Sequence, residues 1–173
     1  MATSLYDLSV GSYLQTLGAV VNVMNKGSEY FAANNINPDT MVGERLAEDM
    51  LPFQFQVISV VHHSMATVKA LALGEFGIPP KVEPMSYKAL TELVENTLVD
   101  MKTISEEAVN NAAGGSVIFK MGETQIPFTS ENFVLSFSLP NLNFHAATIY
   151  DMLRIKGVAL GKLDYLGSMR VGV

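Results

Sequence analysis

The chain contains no cysteine and no tryptophan among its 173 residues. Without cysteine there is no disulfide framework, no thiolate nucleophile and no thiolate metal ligand. The N-terminal segment MATSLYDLSV also lacks the basic start and the apolar block of a secretory signal. These absences together favour a cytoplasmic protein.

Positive charge is also scarce, because 11 basic residues stand against 17 acidic ones and the net charge is −6. Nucleic-acid binding needs clustered lysine and arginine to displace counterions, whereas the basic residues here are scattered. Long hydrophobic runs are missing as well, and none approaches the roughly 18 to 20 residues that a membrane span requires. We therefore predict neither a nucleic-acid partner nor a membrane partner.

The composition that is present is that of a folded domain. Hydrophobic residues make up 49% of the chain and charged residues only 16%, which argues against disorder. The length fits one domain, residues 1–173, with a complete core. A mean hydropathy of +0.25 is high for a chain without membrane spans and predicts a self-association surface, most simply a homodimer.

Apolar residues recur at helical spacing in four stretches, at about residues 5–34, 40–73, 87–111 and 131–156. Segments rich in asparagine, proline or glycine separate them: NNINPD, GEFGIPPKVEP and NNAAGG. Between the third and fourth stretches, VIFKMGETQIPFT changes to two β-rich runs around Gly122, which predicts a hairpin. The predicted fold is all-α, an up-and-down four-helix bundle with a small β-hairpin between helices 3 and 4.

Polar side chains follow a proline in both the second and the fourth helical stretch. Proline is tolerated in the first turn of a helix but breaks the bonding of a helix interior. Helices two and four of such a bundle run in the same direction, so Pro52 and Pro140 are expected at one end of the molecule. We predict a small polar chamber there, near two positive helix N-termini. Its candidate residues are Asp49, Gln54, Gln56, Asn141, Asn143 and His145.

His145 is the centre of this predicted chamber. Asn141 precedes it by one helical turn, and Gln56 lies on the inward face of helix two together with Ser59 and His63. Unpaired buried imidazole and amide groups cost about 1 to 3 kcal/mol each, so these groups should bond to one another, to water or to a ligand. Two interpretations of His145 stay open: a packed core histidine, or a direct role in binding or proton transfer.

A tyrosine and a pair of adjacent histidines also lie on the predicted helices two and four. Tyr150 is interpreted as belonging to the next helix face or to the pocket rim. His62 and His63 are adjacent, and adjacent helical positions diverge by about 100°, so one ion is not expected to bind both. We assign neither of these two histidines a functional role.

Three segments resemble a known family: RLAEDMLPFQFQV (45–57), LPNLNFHAATIYDMLRIKGVALGK (139–162) and DYLG (164–167). The resemblance covers nearly the whole chain. The family is a bacterial and fungal one, described only as a domain of unknown function, and it belongs to the DinB/YfiT-like superfamily of four-helix bundles.

The resemblance implies a metal site that this chain has only in part. Better-known members of the superfamily look like metal-dependent enzymes, including thiol-S-transferases, with one histidine on helix two and an H-x-x-x-H pair on helix four. His145 matches the second histidine of that pair, Asn141 stands at the first, and Gln56 stands near the helix-two ligand. Because amides are poor ligands for Zn²⁺ and similar ions, we predict no metal cofactor, with Asp49 as the rescuing ligand if a divalent ion is bound.

The leading hypothesis is a protein with a degenerate, metal-free pocket that binds, and as an enzyme would transform, a small-molecule ligand. In it His145 acts as a general base or acid, and the binding residues are Asp49, Gln56, Asn141 and Tyr150. A metal-dependent transferase or hydrolase is the first alternative. A non-catalytic homodimeric structural module is the second.

Overall fold

The structure, a computed structural model, describes residues 3–172. This part of the chain is mostly helical with one three-stranded sheet, which confirms the mainly helical character of the predicted fold. The predicted single domain also includes residues 1, 2 and 173, which lie outside the described range, and it stays a prediction. The helices are α1 (Leu5–Leu8), α2 (Val10–Ala33), α3 (Phe53–Val61), α4 (Thr67–Leu73), α5 (Tyr87–Met101), α6 (Glu106–Asn110), α7 (Ser130–Phe133), α8 (Leu139–Ile155) and α9 (Lys162–Leu166).

Two π-helical turns join helices end to end. The first, His62–Ala66, links α3 to α4, and the second, Val134–Ser138, links α7 to α8. A π-turn widens the helix locally and re-aims the side chains on it, and such turns are frequent at functional sites. Pro140 is the second residue after the second turn, and its ring would crowd the carbonyl four residues back in a regular helix. The widened turn allows Pro140 to lie inside a continuous helical stretch.

The second predicted helical stretch begins later than expected. Regular helix starts only at Phe53, because Pro52 caps it in an extended conformation and a residue that precedes a proline is disfavoured in helical geometry. The preceding loop is instead tied back to α3, since the Phe53 and Gln54 amides donate to the carbonyls of Glu44 and Val42 at 2.8 and 3.1 Å. The predicted helix 40–73 was therefore wrong over its first dozen residues.

The sheet contains one strand that the sequence analysis treated as a linker. Strands β2 (Ser116–Met121) and β3 (Thr124–Thr129) form an antiparallel hairpin, and β1 (Glu75–Gly77) pairs in parallel with β2. Phe76 lies opposite Phe119 in this pairing and is buried. The strand exists because its backbone pairs with residues about forty positions away in the chain, a contact that local periodicity does not reveal.

The core lies between the long helices, where α2 packs along α5 and α3 packs along α8. Large side chains such as Tyr13, Phe53 and Tyr87 are fully buried in it. The Tyr87 hydroxyl donates to the carbonyl oxygen of Met24 at 2.9 Å, so its polar atom is satisfied. Between residues 3 and 172, no helix combines the length and the apolar character needed to cross a membrane.

Candidate functional site

A cavity of about 280 Å³ opens where α3 and its π-turn face α8. Four phenylalanine rings form most of its wall, and the backbone from Gly77 to Pro79 closes one side. The rings belong to Phe55, Phe76, Phe119 and Phe137, and the polar side chains that line the cavity are Ser59, His63, Asn141 and His145. The two π-turns therefore border a site that is apolar in its walls and polar at one end.

Two consecutive hydrogen bonds through Gln56 orient the His145 ring. Its Nδ1 lies 2.7 Å from Gln56 Oε1, and Gln56 Nε2 donates to the Leu51 carbonyl at 2.8 Å. Because a carbonyl only accepts, the Gln56 amide must turn its NH₂ toward Leu51 and its oxygen toward His145. Nδ1 of His145 therefore carries the proton, and in the neutral ring Nε2 is a free lone-pair acceptor.

His63 is the second imidazole of the cavity. It is only 5% exposed, and its Nδ1 is buried without a hydrogen-bond partner among the described residues. Its ring lies nearly parallel to that of His145, with 5.8 Å between the ring centroids and 15° between the ring planes. The Phe76 and Phe137 rings also contact it, at centroid distances of 5.6 and 5.7 Å.

Both imidazoles are neutral at physiological pH. Burial lowers the pKa of His145 to about 4. Burial also lowers the pKa of His63 to about 3, and repulsion from His62 and His145 adds to that effect. Burial likewise lowers the pKa of His62, although its hydrogen bond to the Gly77 carbonyl opposes the shift. A second positive charge so close to the first is unfavourable, so the cavity keeps its imidazoles uncharged.

Ser59 and Asn141 complete the polar end. The Ser59 hydroxyl is fully buried and has no partner among the described residues. Ser59 lies one helical turn before His63, so both side chains are on the same face. Asn141 donates from Nδ2 to the Phe137 carbonyl at 2.7 Å, so its Oδ1 takes no part in that hydrogen bond. None of the side chains that line the cavity carries a charge at neutral pH.

The structure brings some of the predicted site residues together and separates others. His145 and Gln56 are hydrogen-bonded, and Asn141 lines the same cavity. Asp49 is exposed and does not line it. Tyr150 also lies apart, because its hydroxyl bonds to the Leu160 carbonyl and its ring packs against Tyr165.

Sequence analysis assigned no role to His63, which the structure places in the cavity. The available signal was spacing, since His63 follows Gln56 by seven residues and Ser59 by four, the repeat of one helix face. That spacing put His63 on the inward face of helix two, but the adjacent histidines were considered only as a metal-binding pair. Only the fold shows that His63 points toward α8, while His62 bonds to the strand residue Gly77 at 2.8 Å.

The cavity residues do not suit the divalent metal that the superfamily implies. The described chain contains no group of three or more histidine, aspartate or glutamate side chains placed to hold an ion. No carboxylate lines the cavity, and the Gln56 oxygen already accepts from His145. Zn²⁺ prefers three or four imidazole, thiolate or carboxylate ligands, and this cavity offers two imidazoles.

The fold is that of a DinB-like protein. The structure is similar to the crystal structure of a DinB family member protein from Shewanella denitrificans, with a TM-score of 0.79 and 25% sequence identity over 98% of this chain and 95% of that one. The chain belongs to the family described as Domain of unknown function (DUF1993), whose model matches residues 5–166. This confirms the family resemblance. No curated protein matches the sequence.

Proposed function

We propose that this protein binds a small uncharged organic molecule in the cavity that His63 and His145 line. The observation that carries the proposal is an aromatic cavity lined by Ser59 and His63, whose Oγ and Nδ1 atoms are buried without a hydrogen-bond partner among the described residues. An unsatisfied buried polar atom costs about 1 to 3 kcal/mol, so a ligand that bonds to these atoms recovers that cost. Ligand pockets are typically apolar with a few convergent polar groups.

The chemistry of the polar end selects the ligand. His145 Nε2 and Asn141 Oδ1 are acceptors, while the Ser59 hydroxyl both donates and accepts. A ligand with an N–H or O–H donor beside a carbonyl or hydroxyl acceptor, such as a primary amide, matches this set. A cation or an anion would lose its hydration without gaining a charged partner, which is costly.

Binding is better supported than catalysis. A general base works best when its pKa lies near the working pH, and a pKa of about 4 makes His145 a weak proton acceptor. Gln56 bonds to Nδ1 but carries no charge to stabilise an imidazolium. If the ligand is transformed, His145 Nε2 is the atom that exchanges a proton with it. The Gln56 amide then orients the imidazole, and the Asn141 amide orients the ligand.

The test compares three probes of equal length: butanamide, butyrate and butylamine. Titrations are followed by the ring resonances of His63 and His145 in NMR spectra at neutral pH. We expect butanamide to shift both rings in a saturable way and the two charged probes to have much smaller effects. Ser59→Ala should weaken butanamide binding, whereas Ser136→Ala, an exposed serine on the second π-turn, should not. Absence of saturable shifts with butanamide, or tighter binding of butyrate, would contradict the proposal.

The remaining expectations stay part of this proposal. The cytoplasmic location is supported by the absence of cysteine from the sequence, and the homodimer by the high mean hydropathy. Light scattering on the purified protein distinguishes a dimer from a monomer. A dimer that binds none of the probes would favour the purely structural alternative.

A further inference from the structure

Beside the polar cavity lies a larger groove of about 540 Å³. Its inner wall is the start of α3, including Pro52 and Ile58, and its outer wall is the segment from Pro79 to Pro84. Leu51 and Val82 border it and are 49% and 45% exposed. Large apolar side chains that line a groove and stay half exposed are typical of a surface that binds an apolar ligand.

The groove and the polar cavity are neighbours that share two wall residues. Phe55 and Pro79 line both spaces. The ring of Phe55 also contacts the His145 ring edge to face, with 5.9 Å between centroids. Phe55 and Pro79 thus form the wall between the two spaces, and a molecule that occupies both must pass between these two side chains.

The outer wall of the groove is anchored at both of its ends. His62 Nε2 lies 2.8 Å from the Gly77 carbonyl, and Gln54 bonds to the Glu83 carbonyl and the Met85 amide at 3.0 and 2.9 Å. Between these anchors the chain contains Pro79 and Pro80, which favour an extended, stiff backbone. The groove therefore exists without a ligand, which lowers the entropic cost of binding.

Charged side chains occur in the groove but not in the polar cavity. The polar cavity is lined by neutral side chains, whereas Lys81 and Glu83, of opposite sign, are at the groove's exposed outer wall. Neither end offers a net charge to a ligand. The complementary molecule has an uncharged hydrogen-bonding head and an apolar tail.

Resting on the proposed function, we infer that the ligand is a neutral single-chain amphiphile, with its head in the cavity lined by His63 and His145 and its tail in the groove along α3. The occupant is one dissolved molecule and not a bilayer surface. A long-chain primary amide or alcohol is the simplest compound with this chemistry.

The experiment measures the affinities of butanamide, hexanamide and octanamide by isothermal titration. A buried methylene contributes about 0.8 kcal/mol, which is about a fourfold gain in affinity. Octanamide has four more methylenes than butanamide and should therefore bind about two hundredfold more tightly. Octanoate and octylamine should bind less tightly than octanamide.

Matched variants locate the tail. Val82→Asp and Leu51→Asp introduce a charge into the groove at positions that are already half exposed, so folding should survive. Each should bring the affinity ratio of octanamide to butanamide toward one. Val99→Asp, at a residue 60% exposed on α5, serves as the control and should leave the ratio unchanged.

Each outcome decides between the two proposals. If butanamide binds but the longer amides bind no better, the amphiphile inference is overturned and the proposed function survives. If no amide binds, both are overturned. Tighter binding of octanoate than of octanamide would contradict the neutral head, and co-sedimentation of the protein with phosphatidylcholine vesicles would contradict a single dissolved molecule.

Discussion

The hydroxyl of Ser138 donates a 2.7 Å hydrogen bond to the carbonyl oxygen of His63, which joins the two π-helical turns. Thr67 Oγ1 and the Tyr13 hydroxyl lie 2.9 and 2.8 Å from the same Ser138 oxygen. All of these side chains are buried. The cluster fixes the two turns against each other, and hence the relative positions of His63 and Phe137 across the cavity.

Replacing Ser138 with alanine should therefore disturb the site from a distance. The change leaves the buried Tyr13 hydroxyl without its partner and removes a donor from the His63 carbonyl. The free energy of unfolding should therefore fall by about 1 to 3 kcal/mol. Chemical denaturation measures this loss, and the ring resonances of His63 should shift. Ser136→Ala, on the same turn but exposed, should change stability by less than about 0.5 kcal/mol. Equal effects of the two variants would contradict the role of the cluster.

Gln56 should control the protonation of His145. In the native chain the ¹⁵N shifts of His145 should report a proton on Nδ1, since the Gln56 oxygen faces it at 2.7 Å. Gln56→Glu puts a negative charge at that position and favours the imidazolium, so the pKa of His145 should rise above its native value of about 4. An NMR pH titration measures the change. Gln56→Leu provides the uncharged comparison and should not raise the pKa.

Stability should fall on acidification because both cavity imidazoles are neutral in the fold. Their folded pKa values, about 4 for His145 and about 3 for His63, lie below the ordinary 6.5. Below pH 6.5 these two histidines are protonated in the unfolded chain but stay neutral in the folded chain. The free energy of unfolding therefore has its full value above pH 6.5 and decreases as the pH falls toward the folded pKa values. Each group adds a slope of up to about 1.4 kcal/mol per pH unit.

Denaturant titrations between neutral pH and pH 4.5 measure that slope, in a window above most carboxylate titrations. His63→Phe and His145→Phe should each flatten it, because they remove the group that takes up the proton. A slope that is the same in both variants and in the native chain would show that neither ring is protonated only on unfolding.

Two glycines of α2 should respond in opposite ways to the same substitution. A Cβ at Gly27 would lie 2.4 Å from the Tyr87 hydroxyl and 3.2 Å from Leu153, so Gly27→Ala overpacks the contact of α2 with α5 and α8. We expect a loss of about 1 to 3 kcal/mol. Gly18 has nothing within 4 Å of such a Cβ, and Gly18→Ala should stabilise the helix by about 0.5 to 1 kcal/mol. Thermal unfolding of the two variants checks this packing.

Removal of divalent metals should leave the protein unchanged, because two imidazoles and amides form a poor ligand set. We expect the same melting temperature and the same butanamide affinity before and after dialysis against a chelator. Elemental analysis provides the second measurement. Equimolar metal that disappears in both His63→Ala and His145→Ala would contradict this prediction and would favour the metal-dependent alternative.

Three of the predicted site residues, Gln56, Asn141 and His145, lie at or beside the cavity, whereas Asp49 and Tyr150 do not. The repeat of helical spacing was enough to bring Gln56 and His145 onto facing helices, where they are hydrogen-bonded. Asp49 was included because it is close in sequence, yet the extended Pro52 stops the helix and leaves Asp49 in an exposed loop. His63 was expected on the inward face of helix two but was assigned no role, because two adjacent histidines are not expected to bind one ion.

The sequence by itself determined most of the helical segments and the family, because these follow from local periodicity and from motifs that the chain carries. Tertiary structure decided the rest. The strand at Phe76, the two π-turns joined through Ser138 and the buried ring of His63 all depend on contacts between distant segments. Such contacts are selected by the packing of the whole chain, so a single segment does not contain the information that fixes them.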